Sequence, residues 1–370
     1  MQLINSFKSV LHNIAGWRTN RKIVVFESDD WGSIRMPSKE VYIKCLKSGY
    51  PVDKNPYERY DSLASADDLN LLFDLLGKFN DSNNKKPQIT ANCVVANPNF
   101  EKIQKDNFDN YHYELITETF QKYPKHNRNF ETWMQAKEEN LFFPQFHARE
   151  HLNVSKFMIA LKNNDKDVHW GFQNMMPGSI RKGQQRNGNY FVEATKYEDI
   201  EDKNQKLSIY LEGLDIFENL FGYKSKSIIP PNYTWNKEFD FFTFEKGVLF
   251  NQGIRKMKVP LEGENYSRYM GQMNAVGQIN TVRNCFFEPS LNFDIDSVDR
   301  CLRDISIAFR MNKPAIISCH RLNFVGHIDE KNRDVNLQNF SKLLSKMLNI
   351  WPGIEFLNTV ELGNLILNSK

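Results

Sequence analysis

Short apolar runs alternate with longer amphipathic segments through most of this chain, and that alternation restricts the fold more than any other feature. "KIVVFES" (22–28) reads as a buried strand, and 65–80 as an amphipathic helix capped by Ser65 or Asp67. Strand-like runs recur at 87–97, 142–153, 225–236, 313–324 and 353–366, the last closing in a helical tail. Helix-like segments lie between them at 109–123, 154–163, 207–222, 296–311 and 336–352. Such alternation builds a parallel sheet, either doubly wound or closed into a barrel. In both architectures sites form at the carboxyl ends of the strands, where this sequence places its polar clusters.

The expected organisation is one domain over residues 1–370 with insertions, and surface loops at 81–86 and 181–189. Residues 1–20 are expected to form a helix docked on that domain, because Leu3, Ile4, Phe7, Val10, Leu11 and Ile14 fall at helical spacing. A membrane-surface helix is the lesser alternative for this segment. Apolar residues make up 41% of the chain and include 28 Phe, enough for a large core. Lys plus Arg (48) nearly balances Asp plus Glu (45), so no basic footprint calls for a nucleic-acid partner. Cys45, Cys93, Cys285, Cys301 and Cys319 are odd in number, widely spaced and form no CxxC pair, which suits a reduced, cytoplasmic chain. Lys8 and His12 break what would be the core of a signal peptide, and no apolar run is long enough to span a membrane.

Four strand ends carry residues with chemistry in them. "VVFESDDWGS" puts Asp29 and Asp30 side by side after an apolar run. One Asp there is an ordinary turn former. Two adjacent carboxylates resist joint ionisation, and a metal relieves the conflict by binding one and leaving the other as a base. "FHAREHLN" carries His147 and His151 four apart, a spacing that on a helical turn puts both imidazoles on one face. "AIISCHRLNF" ends a strand in His320, with Cys319 expected on the opposite face. "SIIPPNYTWN" stiffens its backbone at Pro230–Pro231 and can present Asn232, Tyr233 and Trp235 to a ligand. Each has a plainer reading as a cap, a surface pair or a strand-exit turn. Their shared place after strands suggests convergence on one pocket, with one carboxylate and two histidines holding a metal.

In this order the motifs resemble the polysaccharide deacetylases, the NodB-homology or carbohydrate esterase family 4 enzymes, over roughly residues 20–325. The resemblance implies an irregular seven-stranded (β/α) barrel, TIM-like, and one divalent metal, zinc before cobalt or nickel. It implies Asp29 as general base, Asp30, His147 and His151 as metal ligands, and His320 as the acid that protonates the leaving group. Water activated at the metal would then remove an acetyl group from an acetylated amino sugar or polysaccharide. The sequence departs from the family at two places: Trp31 is inserted before Gly32, and Ile229 stands where the family carries an arginine before the prolines. Arg149 or Arg321, each beside a candidate histidine, could supply that charge, and Trp31 is either a packing wedge or a sugar platform. Two other readings stay open: a glycan-binding relative without turnover, and a two-histidine-one-carboxylate iron enzyme.

Overall fold

A computed structural model describes residues 10, 13–178, 182, 191–261, 265–291 and 296–369. The first part of the expected N-terminal helix and nearly all of the 181–189 loop therefore lie outside the described residues. One sheet organises the rest. Its strands are β1 (Lys22–Trp31), β2 (Ile89–Val94), β3 (Phe142–Ala148), β4 (Ser227–Ile228), β5 (Phe250–Asn251), β6 (Ile279–Asn280), β7 (Cys285–Phe286), β8 (Ala315–His320) and β9 (Ile354–Phe356). The order is β6-β5-β4-β3-β2-β1-β8-β7, with β9 on the first residues of β1. Every pairing in this sheet is parallel.

The two ends of that order belong to one stretch of chain. β6 lies on β5, and a few residues later β7 lies on β8. Between them the Thr281 and Arg283 amides donate to the Asn251 and Gly253 carbonyls, both at 2.9 Å, and the Asn284 amide donates to Ile316 at 3.2 Å. Residues 279–286 thus bridge the open edges as a single extended segment, and the ring counts seven strands with β9 outside it. This is the irregular (β/α) barrel expected from the sequence.

Helices cover the outside. They include α1 (Ala66–Leu76), α2 (Asn129–Glu138), α3 (Val154–Lys162), α4 (Ile200–Phe221), α5 (Ser297–Arg310), α6 (Glu330–Ile350) and α7 (Thr359–Asn368). α1 starts at Ser65, whose hydroxyl accepts from the Asp68 amide while the Asp68 carboxylate accepts from the Ser65 amide, satisfying two otherwise unpaired amides. Its Leu69, Leu72, Phe73 and Leu76 form the buried stripe. The expected helix at 109–123 divides into a short strand, Tyr113–Leu115, and a helix, Ile116–Lys122, because the strand pairs antiparallel with Ala96–Pro98.

Strand alternation sorts the core. Val24 and Phe26 of β1, with Ile317 and Cys319 of β8, point outward into the core beneath the helices, as expected for Cys319. Ile23 and Val25, with Ile316 of β8 and Leu362 and Ile366 of α7, close the lower end of the barrel in a separate apolar plug. Above the plug the same interior row turns polar: Glu27 then Asp29 on β1, Ser318 then His320 on β8. Thr359, which opens α7, donates its hydroxyl to Glu27 at 2.8 Å and its amide to Thr90 at 3.0 Å, tying the plug to the polar layer.

Candidate metal centre and its pocket

In a regular strand Asp29 and Asp30 would point to opposite faces. β1 does not stay regular: its register against β2 slips between Ser28 and Trp31, and Asp30 takes a left-handed backbone at φ 74°. A bulge of this kind re-aims side chains. For a non-glycine residue the conformation costs on the order of 1–3 kcal/mol unless its surroundings hold it. Ser33 does so, donating from its amide (3.2 Å) and its hydroxyl (2.9 Å) to the Asp30 carbonyl. Both carboxylates consequently reach one pocket of about 670 Å³ above the polar layer.

Asp30, His147 and His151 converge in that pocket, with candidate ligand atoms all within 4.8 Å of one another. His147 is the last but one residue of β3, and His151 stands in the bend before α3, so the pair does not share a helical turn as the spacing suggested. Convergence comes from a strand end and the loop that folds back over it. The Nδ1 of His147 lies 2.7 Å from the Ile229 carbonyl, which can only accept, so Nδ1 carries the proton. Its Nε2 is buried without a hydrogen-bond partner, 3.5 Å from Asp30 Oδ1. His151 Nε2 is 3.2 Å from the same oxygen, and burial pushes this imidazole down to about 3. One oxygen and two imidazole nitrogens gathered this closely are a donor set that could hold a cation. The separations suit one: two ligands each about 2.1 Å from a tetrahedral ion stand about 3.4 Å apart. The residues present therefore fit a divalent metal, with Asp30 Oδ2 held from behind by Arg35 at 3.2 Å.

Asp29 is kept apart from that set. Arg283 grips it with both terminal nitrogens, Nη1 to Oδ2 at 2.6 Å and Nη2 to Oδ1 at 2.7 Å, and donates Nε to Glu27 at 2.7 Å. Asn92 adds a bond to Oδ1 at 2.7 Å. Burial alone would raise the Asp29 carboxyl; the guanidinium beside it more than offsets this and lowers it to about 2. Across from Asp29 Oδ2, at 3.8 Å, stands His320 Nε2. The other nitrogen of that ring, Nδ1, is 2.6 Å from Glu288 Oε1, while Asn323 steadies the second Glu288 oxygen at 2.8 Å. Burial disfavours the imidazolium, but the Glu288 carboxylate outweighs it and lifts His320 to about 9. The Tyr57 hydroxyl, 3.4 Å from Nε2, completes this side. The site thus sets an ionised carboxylate opposite a protonated imidazole, next to a cluster that could hold a cation.

Asn232 and Tyr233 line the pocket as expected, both with positive φ directly after the prolines. Four other expected binding residues do not. Trp31 is 1% exposed and packs against Trp133 and Phe142, so it is the wedge rather than the platform. Trp235 is buried, its indole donating to Asp240 at 2.8 Å. Arg149 is consumed by Glu150 and Glu212, and Arg321 by Asp61 and the Ser33 carbonyl. Neither stands in for the arginine absent before the prolines; Arg283 holds Asp29 instead. The sequence carried a signal for it that went unread: in "TVRNCFFEPS" a charged residue interrupts an apolar, strand-like run, and Glu288 ends the same run. His327 lies edge-on to His126, with ring centres 5.4 Å apart, and does not line the pocket.

No family model matches the sequence, and no curated protein matches it. Solved structures do. A protein from Parabacteroides distasonis described as a glycoside hydrolase/deacetylase superposes with TM-score 0.52 at 8% identity, covering 96% of this chain and 74% of that one. PuuE allantoinase gives 0.49 at 10% identity, covering 94% and 91%. A polysaccharide deacetylase from Mycobacterium smegmatis gives 0.44 at 8%, covering 96% and 93%. With the closed seven-strand ring above, the likeness to the first of these is one of fold: the chain has the (β/α)-barrel fold of the polysaccharide deacetylases.

Proposed function

We propose that this protein is a metal-dependent hydrolase that removes an acetyl group, N-linked before O-linked, from a sugar of a glycan or glycan precursor. The observation that carries the reading is the division of the carboxylate pair. Asp30 converges with two histidine nitrogens as a possible metal-ligand set, while Asp29 is held away by Arg283 and faces His320 at 3.8 Å. A divalent cation held by Asp30, His147 and His151, zinc in this proposal with cobalt or nickel as alternatives, supplies Lewis acidity toward the acyl group. Asp29 acts as general base and takes the proton of the attacking water. Arg283 keeps it ionised and fixes its plane. His320 carries the proton that the departing nitrogen or oxygen needs, and Glu288 keeps that proton on the ring at neutral pH. Asn232 and Tyr233 wall the side where the sugar lies. The chain works as one catalytic domain.

The test is acetate release. Metal-loaded protein incubated with N-acetylated sugars should free acetate, and Asp29→Asn should reduce the rate by about 10²–10⁴-fold, the usual worth of a positioned base. Acetate release at the wild-type rate in Asp29→Asn would falsify the assigned base. Sugar binding without acetate release by the metal-loaded protein would support the glycan-binding reading instead. Elemental analysis of the purified protein separates zinc from the iron of the third reading.

A further inference from the structure

Beyond its reactive groups the pocket is lined by several lysines. At the floor Asp29 and Asp30 are already committed, to Arg283 and to the cation cluster with Arg35. Three lysines from three separate parts of the chain line the pocket: Lys156 from the first turn of α3, Lys196 from the stretch before α4, and Lys258 from the segment after the short strand Lys256–Met257. One lining carboxylate, Glu193, serves two of them at long range, 3.5 Å from Lys258 and 3.6 Å from Lys196. It also accepts from Asn232 at 2.9 Å. Lys156 pairs at 2.5 Å with Glu198, whose side chain is 63% exposed. Lysine is common on surfaces and usually means only solvation. These three side chains are 26, 32 and 45% exposed and line the pocket that holds the reactive groups. Gathering like charges around a partly desolvated cavity is unfavourable by itself, and a bound anion reverses the sign.

We propose that the substrate carries an anionic group, a carboxylate or a phosphate, on the part of the sugar remote from the acetyl group that is removed. The acetyl end meets the floor, and the anion meets Lys156, Lys196 and Lys258. This rests on the hydrolase reading for the orientation of the ligand but not for its charge.

The test uses full-length, metal-loaded protein and three probes: a neutral N-acetylglucosamine oligomer, N-acetylglucosamine 6-phosphate, and an N-acetylated sugar bearing a carboxylate. Binding is followed by calorimetry and turnover by acetate release. At least one anionic probe should bind about tenfold or more tighter than the neutral one, the scale of one charge-assisted contact. That preference should fade with added salt. The two anionic arms distinguish phosphate from carboxylate. Each of Lys156→Gln, Lys196→Gln and Lys258→Gln should shrink the preference severalfold, and Lys258→Arg should keep most of it. Equal binding of neutral and anionic probes, or a preference untouched by all three Gln variants, overturns the proposal. Lysine-dependent anion preference without acetate release from any probe sustains it and removes the hydrolase reading. Acetate release with no charge preference does the reverse.

Discussion

Arg283, not Arg149 or Arg321, supplies the positive charge beside Asp29. It is fully buried between Glu27 and Asp29, so two carboxylates depend on one guanidinium. Removing one partner of such a buried set typically costs about 3–5 kcal/mol, because the remaining charges are left without compensation. Glu288 does for His320 what Arg283 does for Asp29, with opposite sign. Burial alone would strip the proton from His320; the carboxylate 2.6 Å away restores it and lifts the group to about 9. A raised histidine is protonated below its folded value and loses the proton as pH rises through it. Activity that needs His320 as acid should therefore fall on the alkaline side. Glu288→Gln should bring that fall to lower pH by about one unit or more, the usual effect of removing one adjacent charge. The profile of kcat/KM against pH measures this, and an unmoved alkaline limb would remove His320 from the acid role.

At the scale of the element, β1 does two jobs along ten residues. Its lower half is ordinary: Ile23 and Val25 face the plug, Val24 and Phe26 the helices. Its upper half breaks the alternation at Asp30, and Trp31 is thereby returned to the outer core. The plug beneath is set by α7, which approaches the barrel closely at Gly363. A Cβ added there would stand 2.4 Å from the Phe250 ring. Gly363→Ala should lower stability by about 1–3 kcal/mol through overpacking. Chemical denaturation reads this as a lower midpoint at unchanged slope. A wild-type midpoint would show that α7 can move away without loss.

At the scale of the whole molecule, the candidate metal cluster joins β1 to the end of β3 and the loop that follows it, far along the chain. A ligand that binds only the folded state stabilises it by mass action, by about 4 kcal/mol at a thousandfold excess over Kd. Stripping divalent metal with a chelator should therefore lower Tm by several degrees, and zinc should restore it. In Asp30→Ala the chelator should have no effect. A chelator-sensitive Tm in that variant would place the stabilising ion elsewhere.

The sequence by itself determined the class of fold and where chemistry would gather. Hydrophobic alternation and helix caps are local, so strands, helices and the polar strand ends were legible before any coordinates. The pairing of Asp29 with Asp30, the H-x3-H spacing and His320 were legible for the same reason. Only the tertiary structure decided what depends on contacts distant in sequence. The bulge that turns both carboxylates one way needs β2 beside β1. The choice of Arg283 over Arg149 and Arg321 needs the closing segment 279–286 to lie against the barrel interior. The burial of Trp31 and Trp235 needs the helical layer in place. A charged side chain names no partner in the sequence; in a barrel, the residue that faces it across the interior supplies one.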